Sequence, residues 1–130
     1  MPKIRHIAYR AANVEARANF FVHAFGMTIT QRRRNQAIDL SDGTINITVL
    51  PMAVAGASGE APRQGVEHIG FTVEDEEQAC RLLEDAGARK IATIELGSPA
   101  HYEAKFQGPE GIVVDIGHWI GTEPVTEKKA

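Results

Sequence analysis

The 130-residue chain has a single cysteine, Cys80. No disulfide can close within it, and the expected compartment is the reducing cytoplasm. No apolar run is long enough to span a bilayer, and the first residues, Met-Pro-Lys-Ile-Arg, lack the hydrophobic stretch of a secretory leader. No membrane partner is expected. There is no excess of basic residues either: 14 Lys and Arg stand against 17 Asp and Glu, a net charge of −3. A nucleic-acid surface would show as a basic stripe, so no nucleic-acid partner is expected. What remains is ordinary for a globular protein, 43% hydrophobic and 24% charged. The length suits one domain with a proper core and falls short of two.

The chain repeats itself. In Val66-Glu67-His68-Ile69-Gly70-Phe71-Thr72-Val73 the alternation is that of a strand. Ile69, Phe71 and Val73 share one face; His68, Gly70 and Thr72 share the other. Ile4-Arg5-His6-Ile7-Ala8-Tyr9-Arg10 has the same form, with His6, Ala8 and Arg10 on one face. The two histidines lie 62 positions apart (68 − 6), and the helix-ending glycines Gly26 and Gly87 lie 61 apart (87 − 26).

Between these markers each half runs strand, helix, strand, strand, strand. In the first half Asn13 caps a helix with Val14, Ala18, Phe21, Val22 and Phe25 as its apolar stripe. Strands follow over about 27–33, 36–41 and 44–50, with Asp42-Gly43 as a hairpin turn. Arg32, Arg33 and Arg34 read as a solvated strand end, or alternatively as an anion site. Residues 51–65, rich in Pro, Gly, Ala and Ser, read as a linker. In the second half Asp75 and Gln78 suit a capping box. Ala79, Leu82, Leu83 and Ala86 form the stripe, with Cys80 an inert thiol beside it. Strands follow over about 90–95, 102–107 and 112–118, with Gly108-Pro109-Glu110-Gly111 as a turn. The polar residues 121–130 read as a frayed tail.

The expected fold is therefore α+β: one domain over residues 1–120, built from two paired βαβββ modules (about 3–50 and 66–119). Together they make a cupped mixed sheet with helices outside. Val114-Asp115-Ile116 puts a carboxylate on the open face of the last strand, and Ile45-Asn46-Ile47 has the same form. The repeat makes Asn46 the expected counterpart of Asp115; Thr48, two residues on, is the alternative. His6, Asn46, His68 and Asp115 then converge on the cup. A strand histidine by itself is most simply a structural hydrogen-bonding residue. Two at matching places of a repeat, with an acid at a third, suit Fe, Mn, Ni, Co or Zn as a divalent ion with open positions.

From Lys3 to Trp119 the chain resembles the vicinal oxygen chelate superfamily, also called the glyoxalase/bleomycin resistance/dioxygenase group. The similarity is carried by the His6 strand followed by Ala18-Asn19-Phe20-Phe21 and Phe25-Gly26-Met27. It is carried too by the His68 strand followed by Leu82-Leu83-Glu84-Asp85-Ala86-Gly87-Ala88, and by Gly108-Pro109-Glu110-Gly111-Ile112-Val113-Val114-Asp115. The resemblance implies paired modules, a divalent metal in the cup and a homodimer. The family places a metal-binding Glu four residues after the last turn glycine; here that place holds Asp115, one methylene shorter. Asn46 is neutral where relatives have Glu or Gln, so it cannot serve as a base. Lys105 stands where ring-cleaving dioxygenases often have Tyr.

Lys105 shares a strand face with Glu103 and His101, and the resemblance turns that face toward the cup. Lys105 and Glu103 are thus the candidates for moving protons, although a surface pair between them is the plain alternative. Arg10, Thr48 and Lys105 are candidates for holding a small-molecule substrate. His118 and Trp119 are expected to pack at the rim, with a hydrogen bond from His118 to a ligand as the sharper option; His23 and His101 are not expected to bind metal. The leading expectation is a metal-dependent glyoxalase-like lyase or isomerase whose substrate chelates the metal through vicinal oxygens. The alternatives are a non-haem Fe(II) ring-cleaving dioxygenase and a metal-free ligand-sequestering protein.

Overall fold

The structure, a computed structural model, describes residues 1–54, 56, 58–59, 61–95 and 100–119; at 94, 95, 100–103, 118 and 119 only the backbone is described. The tail expectation for 121–130 lies outside the described residues. The first module comprises β1 (Lys3–Ala11), α1 (Val14–Phe25), β2 (Thr28–Arg32), β3 (Ile38–Ser41) and β4 (Asn46–Pro51). The second comprises β5 (Gly65–Thr72), α2 (Glu76–Asp85), β6 (Arg89–Glu95), β7 (Ala100–Gln107) and β8 (Val113–Trp119). This is the expected order, twice.

Local chemistry explains the boundaries. Asn13 Oδ1 accepts from the Ala16 N–H at 3.0 Å and starts α1. Gly26, at φ +67°, ends it with its N–H bonded to the Phe21 and Val22 carbonyls. Asp75 Oδ1 does the same for α2 through the Gln78 N–H. Asp42 Oδ1 accepts from the N–H groups of Thr44 and Ile45, so β4 begins only at Asn46.

All eight strands form one mixed sheet in the order β2-β3-β4-β1-β5-β8-β7-β6. Each module pairs its first and last strands in parallel, β1 with β4 and β5 with β8; the modules join through antiparallel β1 and β5. The helices cover the outer face. Under α1 lie Met27, Ile38, Leu40 and Val49, and the helix packs on them through Ala18, Phe21 and Val22. Under α2 lie Val73, Ala104, Phe106 and Ile116.

Two helix stripes are narrower than expected. Phe25 is 71% exposed, and so is Leu82 at 59%; Ala86 is also exposed. On α2 the contact runs through Ala79, Cys80 and Leu83. A ten-residue helix laid on a sheet buries little more than one line of side chains, and Ala79 with Leu83, one turn apart, defines it. Cys80 is thus part of the stripe, and burial pushes its thiol pKa up, as an inert thiol requires.

Candidate metal centre

The inner face of the sheet is organised in rows of residues paired across the strands. One row runs Asn46, His6, Gly70, Asp115, Lys105 across β4, β1, β5, β8 and β7. The next runs Gln31, Asp39, Thr48, Ala8, His68 across β2, β3, β4, β1 and β5. Paired residues on neighbouring strands project from the same face. Four strands thus bring two imidazoles, a carboxylate and an amine to one place.

Gly70 makes room for this. A Cβ there would lie 1.9 Å from His6 Cδ2, 2.3 Å from His6 Nε2 and 2.4 Å from Asp115 Oδ1. In the space left by the missing side chain, His6 Nε2 stands 3.2 Å from Asp115 Oδ1. His68 Nε2 stands 3.2 Å from Asp115 Oδ2, and Lys105 Nζ donates to that same oxygen at 3.0 Å. Lys105 Nζ is also 3.4 Å from His68 Nε2. The two imidazole rings meet edge to face at 5.2 Å.

Asp115 is completely buried, and His6 and Lys105 are nearly so. Burial alone would raise the Asp115 pKa. The hydrogen bond from His6 and the electrostatics of the cluster, with the Lys105 ammonium in contact, outweigh it, and the carboxyl is held well below its usual value. Burial, helped by the Lys105 charge, lowers the pKa of His68 to about 3. His68 is therefore neutral at pH 7 and has a lone pair to offer.

His6, His68 and Asp115 each present a donor atom within 4.8 Å of the others. Two imidazoles and one carboxylate in a buried cup are a suitable donor set for a divalent transition metal. Beside His6, Asn46 Oδ1 is buried with no hydrogen-bond partner among the described residues. A binding site explains such an orphaned acceptor better than a packed interior does. The residues present fit a metal.

One expectation is corrected, the repeat counterpart of Asp115. The register makes Thr48, not Asn46, the counterpart of Asp115. Ala8 pairs with Thr48 as Gly70 pairs with Asp115, and His6 and His68 each lie two residues before those positions. Thr48 gives its proton to Asp39 Oδ1 at 2.6 Å. Arg10 is fully buried, and its guanidinium bonds Glu67 and the carbonyls of Pro51, Met52 and Val54. Arg33 pairs with buried Asp39, while Arg32 pairs with Glu15 on the solvated surface. Glu103 lies on β7 opposite Gly117; its side chain and those of His101, His118 and Trp119 lie outside the described residues. His23 is on the exposed side of α1.

Two residues escaped the sequence reading. Asp39 is buried between Gln31, Arg33 and Thr48, and Ile38-Asp39-Leu40 carries the same apolar-acid-apolar form that marked Asp115. Glu67 has no such signal. It is the extra residue of a bulge, because Ala8 pairs with His68 while Tyr9 pairs with Val66. A cleft of about 570 Å³, lined by His68 together with Arg63, Gln64, Glu67 and Glu110, opens beside the cluster.

Comparison with known proteins agrees with this architecture. The family described as Glyoxalase/Bleomycin resistance protein/Dioxygenase superfamily matches residues 3–116. No curated protein sequence matches. Among solved structures, the 2,3-dioxygenase LapB from Pseudomonas sp. KL28 superposes with a TM-score of 0.70 at 16% identity, over 93% of this chain. The chain spans only 42% of that dioxygenase chain. A methylmalonyl-CoA epimerase in complex with methylmalonyl-CoA and NH4+ gives 0.67 at 19% identity, over 95% of this chain and 98% of that one. The methylmalonyl-CoA epimerase from Mycobacterium tuberculosis gives 0.64 at 15% identity, over 90% and 87%.

Proposed function

Because the chain belongs to the Glyoxalase/Bleomycin resistance protein/Dioxygenase superfamily, we propose that it is a metal-dependent enzyme of the lyase or isomerase type. Its substrate is a small molecule that presents two vicinal oxygens. His6 Nε2, His68 Nε2 and one Asp115 oxygen hold the divalent ion. Bound there, the ion supplies Lewis-acid stabilisation of an enolate or oxyanion. Lys105 Nζ, at 3.0 Å from Asp115, is the group placed to move a proton, with Glu103 as the other candidate on its strand. The cleft beside His68 is of a size that small ligands fill. The supporting observation is the cluster itself: three donor atoms within 4.8 Å, with an amine on the same carboxylate.

The test is metal analysis of protein purified without chelator. One ion per chain is expected, and His68→Ala should lose most of it; equal metal in both proteins would count against the assignment. The metal-loaded protein should then exchange the α-proton of a hydroxy-carbonyl or dicarbonyl substrate with solvent deuterium.

One observation favours a second reading. The position related to Asp115 by the repeat is Thr48, a neutral residue already bonded to Asp39. Among the described residues the cluster therefore has one acidic ligand, the set used by non-haem Fe(II) oxygenases. Oxygen consumption on catechols after anaerobic Fe(II) loading, without deuterium exchange, would select that reading. A cytoplasmic homodimer belongs to both readings; sedimentation velocity should give twice the mass of 14.1 kDa, and a monomer at micromolar concentration would remove the dimer from both.

A further inference from the structure

Lys105 does more in this cluster than face a substrate. Its ammonium lies on the very groups that would hold the metal, 3.0 Å from Asp115 Oδ2 and 3.4 Å from His68 Nε2. His68 Nε2 reaches the same Asp115 oxygen at 3.2 Å. All of this happens where Asp115 has no exposure and Lys105 almost none.

An ammonium and a divalent cation cannot both take the one lone pair of His68 Nε2, and they compete for the charge of Asp115 Oδ2. Two positive charges packed a few ångströms apart in a buried cup also repel strongly. A buried carboxylate, in turn, needs a counter-charge whether or not metal is present. We propose that Lys105 is an internal counter-cation of the metal site: its ammonium holds Asp115 and His68 together in the metal-free protein, and an arriving divalent ion displaces it.

This rests on the metal-site reading above and deepens it. Metal binding becomes an exchange of one cation for another. The ligands are pre-assembled, and the affinity is lower than the three donors alone would give. Displacement turns Nζ away from Asp115 into the cup, so Lys105 is free to serve a substrate only in metal-loaded protein. The same lysine is a structural ion in one state and a substrate-facing group in the other.

The test uses the full chain, stripped of metal and titrated with Zn(II) and Co(II) against a chelating indicator, with thermal melting of the metal-free form. Lys105→Met removes the charge and keeps the stem. It should bind metal at least about tenfold more tightly than the parent, while its metal-free form melts several degrees lower. Lys105→Arg should restore the melting temperature and the weaker binding. Lys105→Gln serves the same purpose as Lys105→Met if the latter does not fold. If the neutral variants bind metal no more tightly while Asp115→Asn abolishes binding, the displacement idea is wrong and the metal site stands. If neither the parent nor the neutral variants bind metal, the site reading fails, and this inference with it.

Discussion

Replacing Gly70 by alanine puts one methyl group into the middle of the cluster. The Cβ would stand 1.9 Å from His6 Cδ2, where ordinary contact begins at 3.4 Å, so the imidazole must retreat by about 1.5 Å. It would also stand 2.4 Å from Asp115 Oδ1, so the carboxylate must move as well. Gly70 is not among the residues with positive φ, so the backbone itself accepts alanine. Overpacking of this kind costs about 1–3 kcal/mol, a fall in melting temperature of roughly 3–15 °C for a domain of this size. Metal–ligand distances tolerate only about 0.2 Å, so the effect on metal binding is far larger than the effect on folding. Gly70→Ala should therefore fold, melt lower and bring down little or no metal. The assay is metal content by elemental analysis beside circular dichroism on the same preparation. A folded Gly70→Ala protein with the parent's metal content would refute the geometry of the site.

Acid should destabilise the metal-free protein. Between the usual histidine value of 6.5 and about 3, the unfolded chain protonates His68 and the folded chain does not. Stability therefore rises with pH and is lost as pH falls through that window. Asp115, held below its usual 3.8, acts in the same direction at the acid end, since its contribution is lost as the carboxylate takes a proton. Urea melts from pH 7 to pH 4 should show it, and His68→Gln should flatten the upper part; an unchanged slope would mean that His68 titrates normally. Arg10→Leu should cost about 3–5 kcal/mol, because it strands Glu67 and frees the carbonyls of Pro51, Met52 and Val54. Limited proteolysis should then cut near residues 51–56, and a resistant variant would show that Arg10 is not what ties that segment down.

The difference between what was legible and what was not follows from range. Strand alternation, the Asn13 and Asp75 caps and the glycine helix ends are local, and they survive in the structure almost residue for residue. The spacing of His6 and His68, with Asp115 on a third polar strand face, was enough to foresee a shared cup. Asn46 was matched to Asp115 in place of Thr48 because alternation tells which face a residue takes, not which residue lies opposite. Asn46 and Thr48 share a face, and only the β1–β4 register separates them.

Arg10 and Glu67 meet through a bulge that no pattern in the sequence announces. The family resemblance turned Lys105 toward the cup, but nothing in the sequence set it on Asp115. What the chain determined by itself was the repeat, the two layers and the chemical types at the centre. What the tertiary structure decided was who touches whom. Register is set by hydrogen bonds between strands far apart in sequence, and a shift of two residues moves a side chain by several ångströms while leaving it on the same face.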